Sequence, residues 1–451
     1  MKINRPIKNV VFNFLYVVGV DRNMTWAIYY RFWVALAGFI SIFFISKFLS
    51  QEEQGYFYVF NSLLALQIFI ELGLTTAILQ LTSHEMAKLR WSSKHILIGN
   101  PKAKKRLQSL MYFILLWFGL LGLLLMITLI PGGLYYLKHT LGQNYLEAQL
   151  ENPWILSVIF SGLTLMTTPF LAFIEGTGKI LEVGKIKFIQ SIFSFTILFV
   201  ALRYELGLFS LSLSLLASFL VNLFFLYHKF KSFLLDIFTY KIPLPGMNWK
   251  KEIWSFQWRI AVSWVSGFFA YQLYNPLLMA ISGPVSAGKM GMSLQIISAI
   301  NATSIVWIST KAPVFGKLIA LDKKIELKEI FKSALVKSTI VLFLLIIMFL
   351  SLIYFYLASY SYIERIVSIN LMALLCIACL ANHIVSSMAI YLRAHKKEPF
   401  MTLSLANGFS TLIIGLMLIP RYQIQGAVAT YFISSVFISL FLGFLIFKKE
   451  A

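Results

Sequence analysis

The sequence predicts an all-α, polytopic membrane protein with about 12 transmembrane helices in two pseudo-symmetric six-helix lobes. Three observations predict it: an apolar composition, regularly recurring apolar runs, and a one-sided distribution of positive charge. Of the 451 residues, 59% are hydrophobic and 13% charged, against about 25% charged in a soluble domain. So little polar surface cannot cover a water-soluble particle of this size, and the excess apolar side chains must face lipid.

A bilayer core about 30 Å thick takes roughly 20 residues of helix. In the first half, runs of that order fall at 27–49, 55–83, 110–130, 153–174, 188–204 and 208–227. The second half has 259–280, 288–310, 338–358, 366–390, 400–419 and 426–447.

The connections set the orientation. The chain carries 39 Lys and Arg against 18 Asp and Glu, a net charge of +21. Thirty-one of the basic residues lie in the N-terminal segment, in 84–109, 175–187, 228–258, 311–337 and 391–399, and in the tail. The alternate connections and adjoining span ends hold six: Lys47, Lys138, Arg203, Lys289, Arg365 and Arg421. Positive loops stay inside, so both termini are expected in the cytoplasm. The charge is then a record of topology, and no nucleic-acid partner is expected.

Residues 1–26 form a cytoplasmic, interfacial N-terminal segment, in which Ile7, Val10, Val11, Phe14, Leu15 and Val18 share one helical face. The N-lobe is 27–227 and the C-lobe 259–447, joined by a cytoplasmic linker, 228–258, containing Pro243, Pro245 and Gly246; 448–451 is a cytoplasmic tail. Six spans per half is an even number, so the halves enter the membrane from the same side as parallel repeats. Tyr30-Arg31 followed by Gly38 echoes Trp258-Arg259 followed by Gly267, and the first hairpins turn at Gln54-Gly55-Tyr56 and Ala287-Gly288-Lys289. Leu321–Lys337 reads as an amphipathic helix or a solvated connector, and 131–152, opening with Pro131-Gly132-Gly133, is the longest external connection.

The motifs of soluble enzymes are missing. Gly176-Thr177-Gly178-Lys179 lacks the spacing and the preceding strand of a phosphate-binding loop, and His84-Glu85 is not completed to H-E-x-x-H. Cys376 and Cys379 lie inside an apolar run and read as packing residues rather than a redox or metal pair. The expectation is a protein that is not an enzyme and holds no cofactor or metal.

Ionisable residues inside the spans are the candidate site. A charge at mid-bilayer costs about 2.5–3.5 kcal/mol, so it faces a partner or a watery cavity. Arg31 lies one to two turns into the first span, Arg259 at the matching place in the seventh, and Lys311 at the end of the eighth. Together they predict a cationic, substrate-binding cavity open to the cytoplasm, with Glu71 and His383 as coupling or cavity residues. Such a cavity suits an anionic head group, and the planar guanidinium suits phosphate. The plainer alternatives are that the cations snorkel as membrane anchors, that Glu71 is a structural partner of a basic residue, and that His383 makes an interhelical hydrogen bond.

The runs Tyr30-Arg31-Phe32, Leu49-Ser50-Gln51-Glu52-Glu53-Gln54-Gly55-Tyr56 and Glu71-Leu72-Gly73-Leu74 resemble the first hairpin of Wzx-type polysaccharide and O-antigen flippases. These belong to the multidrug/oligosaccharidyl-lipid/polysaccharide exporter superfamily. Ser282-Gly283-Pro284 with Ala287-Gly288 resembles the corresponding turn of the second half. The eighth span departs from the pattern, with Asn301-Ala302-Thr303 where the second has Leu72-Gly73-Leu74. The resemblance implies a V-shaped, MATE-like fold in the bacterial cytoplasmic (inner) membrane. It implies an O-antigen or capsule repeat unit on undecaprenyl pyrophosphate as substrate, of the kind used in lipopolysaccharide biosynthesis. Membrane lipids and a coupling ion, H+ or Na+, are the other expected partners. The alternative within the superfamily is a cation-coupled drug or toxin antiporter.

Overall fold

Apolar runs this long can satisfy their backbone groups in lipid only as helices, and helices dominate the fold. The computed structural model describes residues 25–92, 96–142, 149–239, 254–355, 361–395 and 400–450. The expected interfacial helix around residues 7–18 and the central part of the 228–258 linker, residues 240–253, lie outside them.

In the first half, α1 (Thr25–Phe48) leads to a broken helix, α2 (Gln51–Glu71) and α3 (Leu74–Met86), bent by 45°. Leu72 and Gly73, at φ 51° and 71°, make the break. Then follow α4 (Pro101–Leu141), α5 (Glu151–Gly176), α6 (Ile180–Arg203) and α7 (Phe209–Phe238). The second half has α8 (Trp254–Tyr271), α9 (Tyr274–Ser309), α10 (Ala312–Ala320), α11 (Lys324–Phe355), α12 (Ile369–Ala394), α13 (Met401–Ile433) and α14 (Phe441–Glu450).

Among the described residues nine helices are long and apolar enough to cross a membrane, ten with the bent pair counted as one. Two of these, 261–316 and 401–450, are 56 and 50 residues long. At 1.5 Å per residue each is far longer than one crossing needs. Each also contains a backbone break. Gly283 leaves helical geometry at φ 81°, ψ 177°, and the helix resumes with Pro284, whose ring suits a first turn. Gln423, at φ 50°, ψ −125°, follows Pro420. A Cβ on Gly426 would lie 2.3 Å from the Leu418 carbonyl oxygen, so the chain doubles back tightly there. Dividing both at these breaks gives the twelve segments the sequence predicts.

The connections sort into two ends. At the end expected outside, the Arg365 guanidinium donates to the Leu49 carbonyl (2.7 Å), and the Gln54 amide donates to the carbonyls of Gly288 and Arg365, both at 2.9 Å. Ser50 starts α2 with a capping box shared with Glu53, which satisfies two orphan amides. At the other end of the N-lobe sit the basic connections. Lys104 pairs with Asp236 (2.9 Å), Arg106 with Glu85 (2.7 Å), Lys187 with Glu175 (2.7 Å) and Lys229 with Glu182 (2.9 Å). A short hairpin, β1 (Leu89–Trp91) against β2 (Leu97–Gly99), also sits there, with the Trp91 indole donating to Thr177. At the corresponding end of the C-lobe, Phe315, Phe331, Tyr391 and Phe447 pack ring against ring.

Two expectations change. Residues 131–141 are not loop, because α4 runs through Pro131 to Leu141. The carbonyls near the proline are served by the Trp154 indole, which donates to Leu129 at 3.1 Å, and this extension leans across to the other lobe, Tyr136 donating to Pro276 at 2.6 Å. The second is a refinement: the 321–337 stretch is helical and leads into the next span, as expected, but it forms one helix with that span. Most of it belongs to α11, which continues unbroken into its span and buries Leu327, Phe331 and Ala334.

Candidate functional site: a polar chamber between the lobes

The lobes meet where small residues let backbones touch. A Cβ on Gly55 would lie 2.0 Å from the Pro284 carbonyl oxygen, and one on Gly288 would lie 3.3 Å from that of Gln51. The contact is reciprocal, as a two-fold relation between lobes requires. It pairs Gly55 with Gly288, which lie not at turns but just inside helices, past Ser50 and past the Gly283 break.

Beyond this contact a chamber of about 540 Å³ opens between the lobes, lined by α1, α2, α6 and α7 on one side and α8, α9 and α13 on the other. Tyr58, Asn61, Ser62, Gln272, Asn275 and Gln295 supply its polar wall. Hydrogen bonds cross it. Tyr58 donates to the Gln295 amide oxygen (2.5 Å), while the Gln295 amide donates to the Gly38 carbonyl (3.2 Å) and to Ser41 (3.3 Å). Asn275 donates to Ser62 (3.0 Å), which donates to Gln272 (3.3 Å). The lining carries no formally charged side chain among the described residues.

On the opposite flank of α1 lies an apolar crevice of about 510 Å³, between Phe39, Ile42 and Phe43, then Met292 and Ile296 of α9, then Met348 and Phe349 of α11. One helix thus separates a polar compartment from an apolar one.

The structure does not bring the five predicted residues together in that chamber. Arg31 is exposed on α1. Its place on the helix matters: 31, 38, 42 and 45 are spaced by 7, 4 and 3, so they share one stripe. Gly38 and Ile45 of that stripe face the chamber and Ile42 the crevice. Arg31 therefore continues the interlobe stripe, about 10 Å beyond Gly38 towards the basic end. Arg259 lies on α8, and its side chain falls outside what is described. It precedes Gly288 by twenty-nine residues, whereas Arg31 precedes Gly55 by twenty-four. The five additional residues include a bend at Gln272 and Leu273, between α8 and α9, so the two arginines are not related by equal spacing to the glycine contact. Lys311 is half-buried in the turn between α9 and α10. Glu71 closes α2 at the break, where the Thr75 hydroxyl donates to its carboxylate. His383 is fully buried inside the C-lobe, bonded to Ser338 (3.0 Å) and Asn301 (2.9 Å), and so ties α12 to α11 and α9.

Sequence reasoning weighed charge and passed over the neutral polar residues. The available signal was the placement of Asn, Gln and Tyr within apolar runs, where an amide costs much unless it is partnered.

No family model matches the chain, and no curated protein matches it. Solved structures do. The MATE transporter VcmN of Vibrio cholerae superposes with a TM-score of 0.60 at 14% identity, over 94% of this chain and 95% of that one. The lipid II flippase MurJ, in an inward closed conformation, gives 0.61 at 14%, over 94% and 87%. The MATE multidrug transporter DinF-BH gives 0.60 at 13%, over 95% of each chain. At these identities the likeness is one of fold: the chain has the two-lobed helical architecture of the MATE and MurJ transporters.

Proposed function

We propose that this chain is a flippase that carries a lipid-linked oligosaccharide across the inner membrane by alternating access. The substrate is an O-antigen or capsule repeat unit on undecaprenyl pyrophosphate, moving from the cytoplasmic to the periplasmic leaflet. The observation that carries this reading is the pairing of compartments across α1: a polar chamber on one flank and an apolar crevice on the other. A substrate with a sugar head and a polyprenyl tail needs both at once, whereas a soluble solute needs only the first. Arg31, on the interlobe stripe towards the basic end, supplies the cation that greets the pyrophosphate, with Arg259 and Lys311 as further candidates. The hydroxyl and amide wall of the chamber then takes the glycan. An inside-negative potential favours the outward step by about 2.3 kcal/mol per charge per 100 mV. Glu71 and a coupling ion, H+ or Na+, would reset the empty carrier. His383, locked between two helices, serves packing rather than coupling.

The drug-antiporter alternative requires a carboxylate that meets an organic cation. Glu71 does not line the chamber among the described residues, and neither do Arg31 and Lys311; the apolar crevice on the other flank of α1, which a soluble cation would not need, favours the flippase. The test is a deletion strain complemented with Arg31→Ala and assayed for surface polysaccharide. Loss of surface glycan at normal protein level, with restoration in part by Arg31→Lys, is expected. Full surface glycan with Arg31→Ala would remove the head-group role, and lowered organic-cation accumulation without any glycan effect would favour the antiporter.

A further inference from the structure

A second chamber, of about 300 Å³, lies inside the C-lobe between α8, α12 and α13. This is at the lower end of the roughly 300–1,000 Å³ of small-molecule pockets. The side chains that matter are Asn382, Ser386, Ser404 and Asn407, with Tyr271 at one end and Arg393 at the other. Tyr271 also lines the chamber between the lobes, so one ring forms a wall common to both. Arg393 is exposed, in the last turn of α12, and thus sits at the end expected to face the cytoplasm.

The chemistry of the lining is selective. It carries hydroxyls and amides, and no carboxylate among the described residues. Asn407 is 9% exposed, and its Oδ1 is buried with no hydrogen-bond donor among the described residues. A buried acceptor left unmet costs about 1–3 kcal/mol. Asn407 is held at this point by its neighbour: a Cβ on Gly408 would lie 2.7 Å from the Ser266 carbonyl oxygen, so α13 is pressed onto α8 just where the amide turns inward. An amide oxygen only accepts. It repels an anion and asks for a ligand with O–H or N–H groups.

We propose that this C-lobe chamber is a saccharide-binding subsite, taking a neutral or N-acetylated sugar ring whose hydroxyl or amide N–H donates to Asn407 Oδ1. The inference rests on the flippase reading and adds to it where sugar recognition occurs. The ring lies against Tyr271, and Asn382, Ser386 and Ser404 meet further hydroxyls. Arg393 at the mouth faces the phosphorylated end. Discrimination between glycans then resides in the C-lobe, while the chamber between the lobes accommodates the rest of the head group.

The test uses the full chain, purified in lipid nanodiscs, and saturation-transfer difference NMR with four free sugars: glucose, galactose, rhamnose and N-acetylglucosamine. At least one is expected to give transfer that falls fivefold or more in Asn407→Leu and at least twofold in Ser404→Ala. Phe409→Ala, an exposed residue on the same helix, should leave it unchanged. The milder Ser404→Ala keeps the test meaningful if Asn407→Leu folds poorly. No transfer from any of the four sugars, or transfer undiminished in both Asn407→Leu and Ser404→Ala, overturns the subsite. A subsite that fails while a deletion strain still lacks surface glycan leaves the flippase reading standing. A deletion strain with normal surface glycan ends that reading whatever the NMR shows.

Discussion

The glycine contact between the lobes makes a quantitative prediction. In alternating access, the Gly55–Pro284 contact must form when the outer end is closed and break when it opens. A methyl at Gly55 would lie 2.0 Å from the Pro284 carbonyl oxygen, against an ordinary contact of 3.4 Å or more. Gly55→Ala therefore forces α2 and α9 apart by about 1.4 Å, and the obstacle is backbone, which cannot rotate aside. Overpacking of this kind costs about 1–3 kcal/mol. Borne by the outward-closed state alone, this lowers its population relative to the open state by roughly 5–150-fold. The assay is disulfide cross-linking of Gln51→Cys with Glu364→Cys, whose side chains hydrogen-bond at 3.2 Å across the closed end. The native cysteines are both buried and do not compete. Cross-linking should fall at least fivefold in Gly55→Ala, and surface glycan should fall with it. An unchanged cross-linking yield together with normal export would refute the assignment of this contact as the outer gate.

Other consequences follow from the same geometry. His383→Ala removes the only described side-chain partner of Asn301 and one of Ser338's, so it should lower stability by about 1–3 kcal/mol; thermal unfolding in detergent should show the fall, with the pH profile of export unmoved. Met292→Trp fills the apolar crevice beside Ile42 and should abolish export while sugar binding in nanodiscs persists. Phe69 packs edge-on against Phe268 at 5.2 Å and Phe269 at 5.8 Å, so Phe69→Ala should loosen the lobes and raise the protease susceptibility of the purified protein. Glu85→Ala leaves Arg106 without its 2.7 Å partner and should reduce folded protein in the membrane at unchanged transcript level.

Much of this architecture was legible in the chain because bilayer physics acts on sequence directly. The length of an apolar run and the side on which lysines cluster are one-dimensional quantities, and they returned the number of crossings and the two halves; the paired glycines Gly55 and Gly288 lie just inside helices, past the turn at Ser50 and the break at Gly283. The bent second span is already visible as Glu71-Leu72-Gly73, where glycine and its neighbour adopt positive φ. What misled was local punctuation. Pro131-Gly132-Gly133 reads as a loop, yet the helix persists because the Trp154 indole, distant in sequence, serves the nearby carbonyls.

The site depended on tertiary structure for a different reason. Which way a side chain on a helix faces is fixed by its neighbours in space, and cost alone does not distinguish a cation in a cavity from one at a head group. The chain could nominate Arg31 and Arg259 as equivalents; only the packed glycines showed that their spacings to the interlobe contact differ by five residues. Likewise, Gln295, Asn275 and Asn407 are ordinary letters in an apolar run until the fold gives Gln295 the Tyr58 hydroxyl, Asn275 the Ser62 hydroxyl and the Asn407 Oδ1 no donor among the described residues. The sequence by itself determined that the protein crosses the membrane as two six-span halves, because lipid contact and charge sidedness are properties of segments. Only the tertiary structure decided where polar and apolar compartments lie on either flank of α1, because a cavity is a property of surfaces that meet from distant parts of the chain.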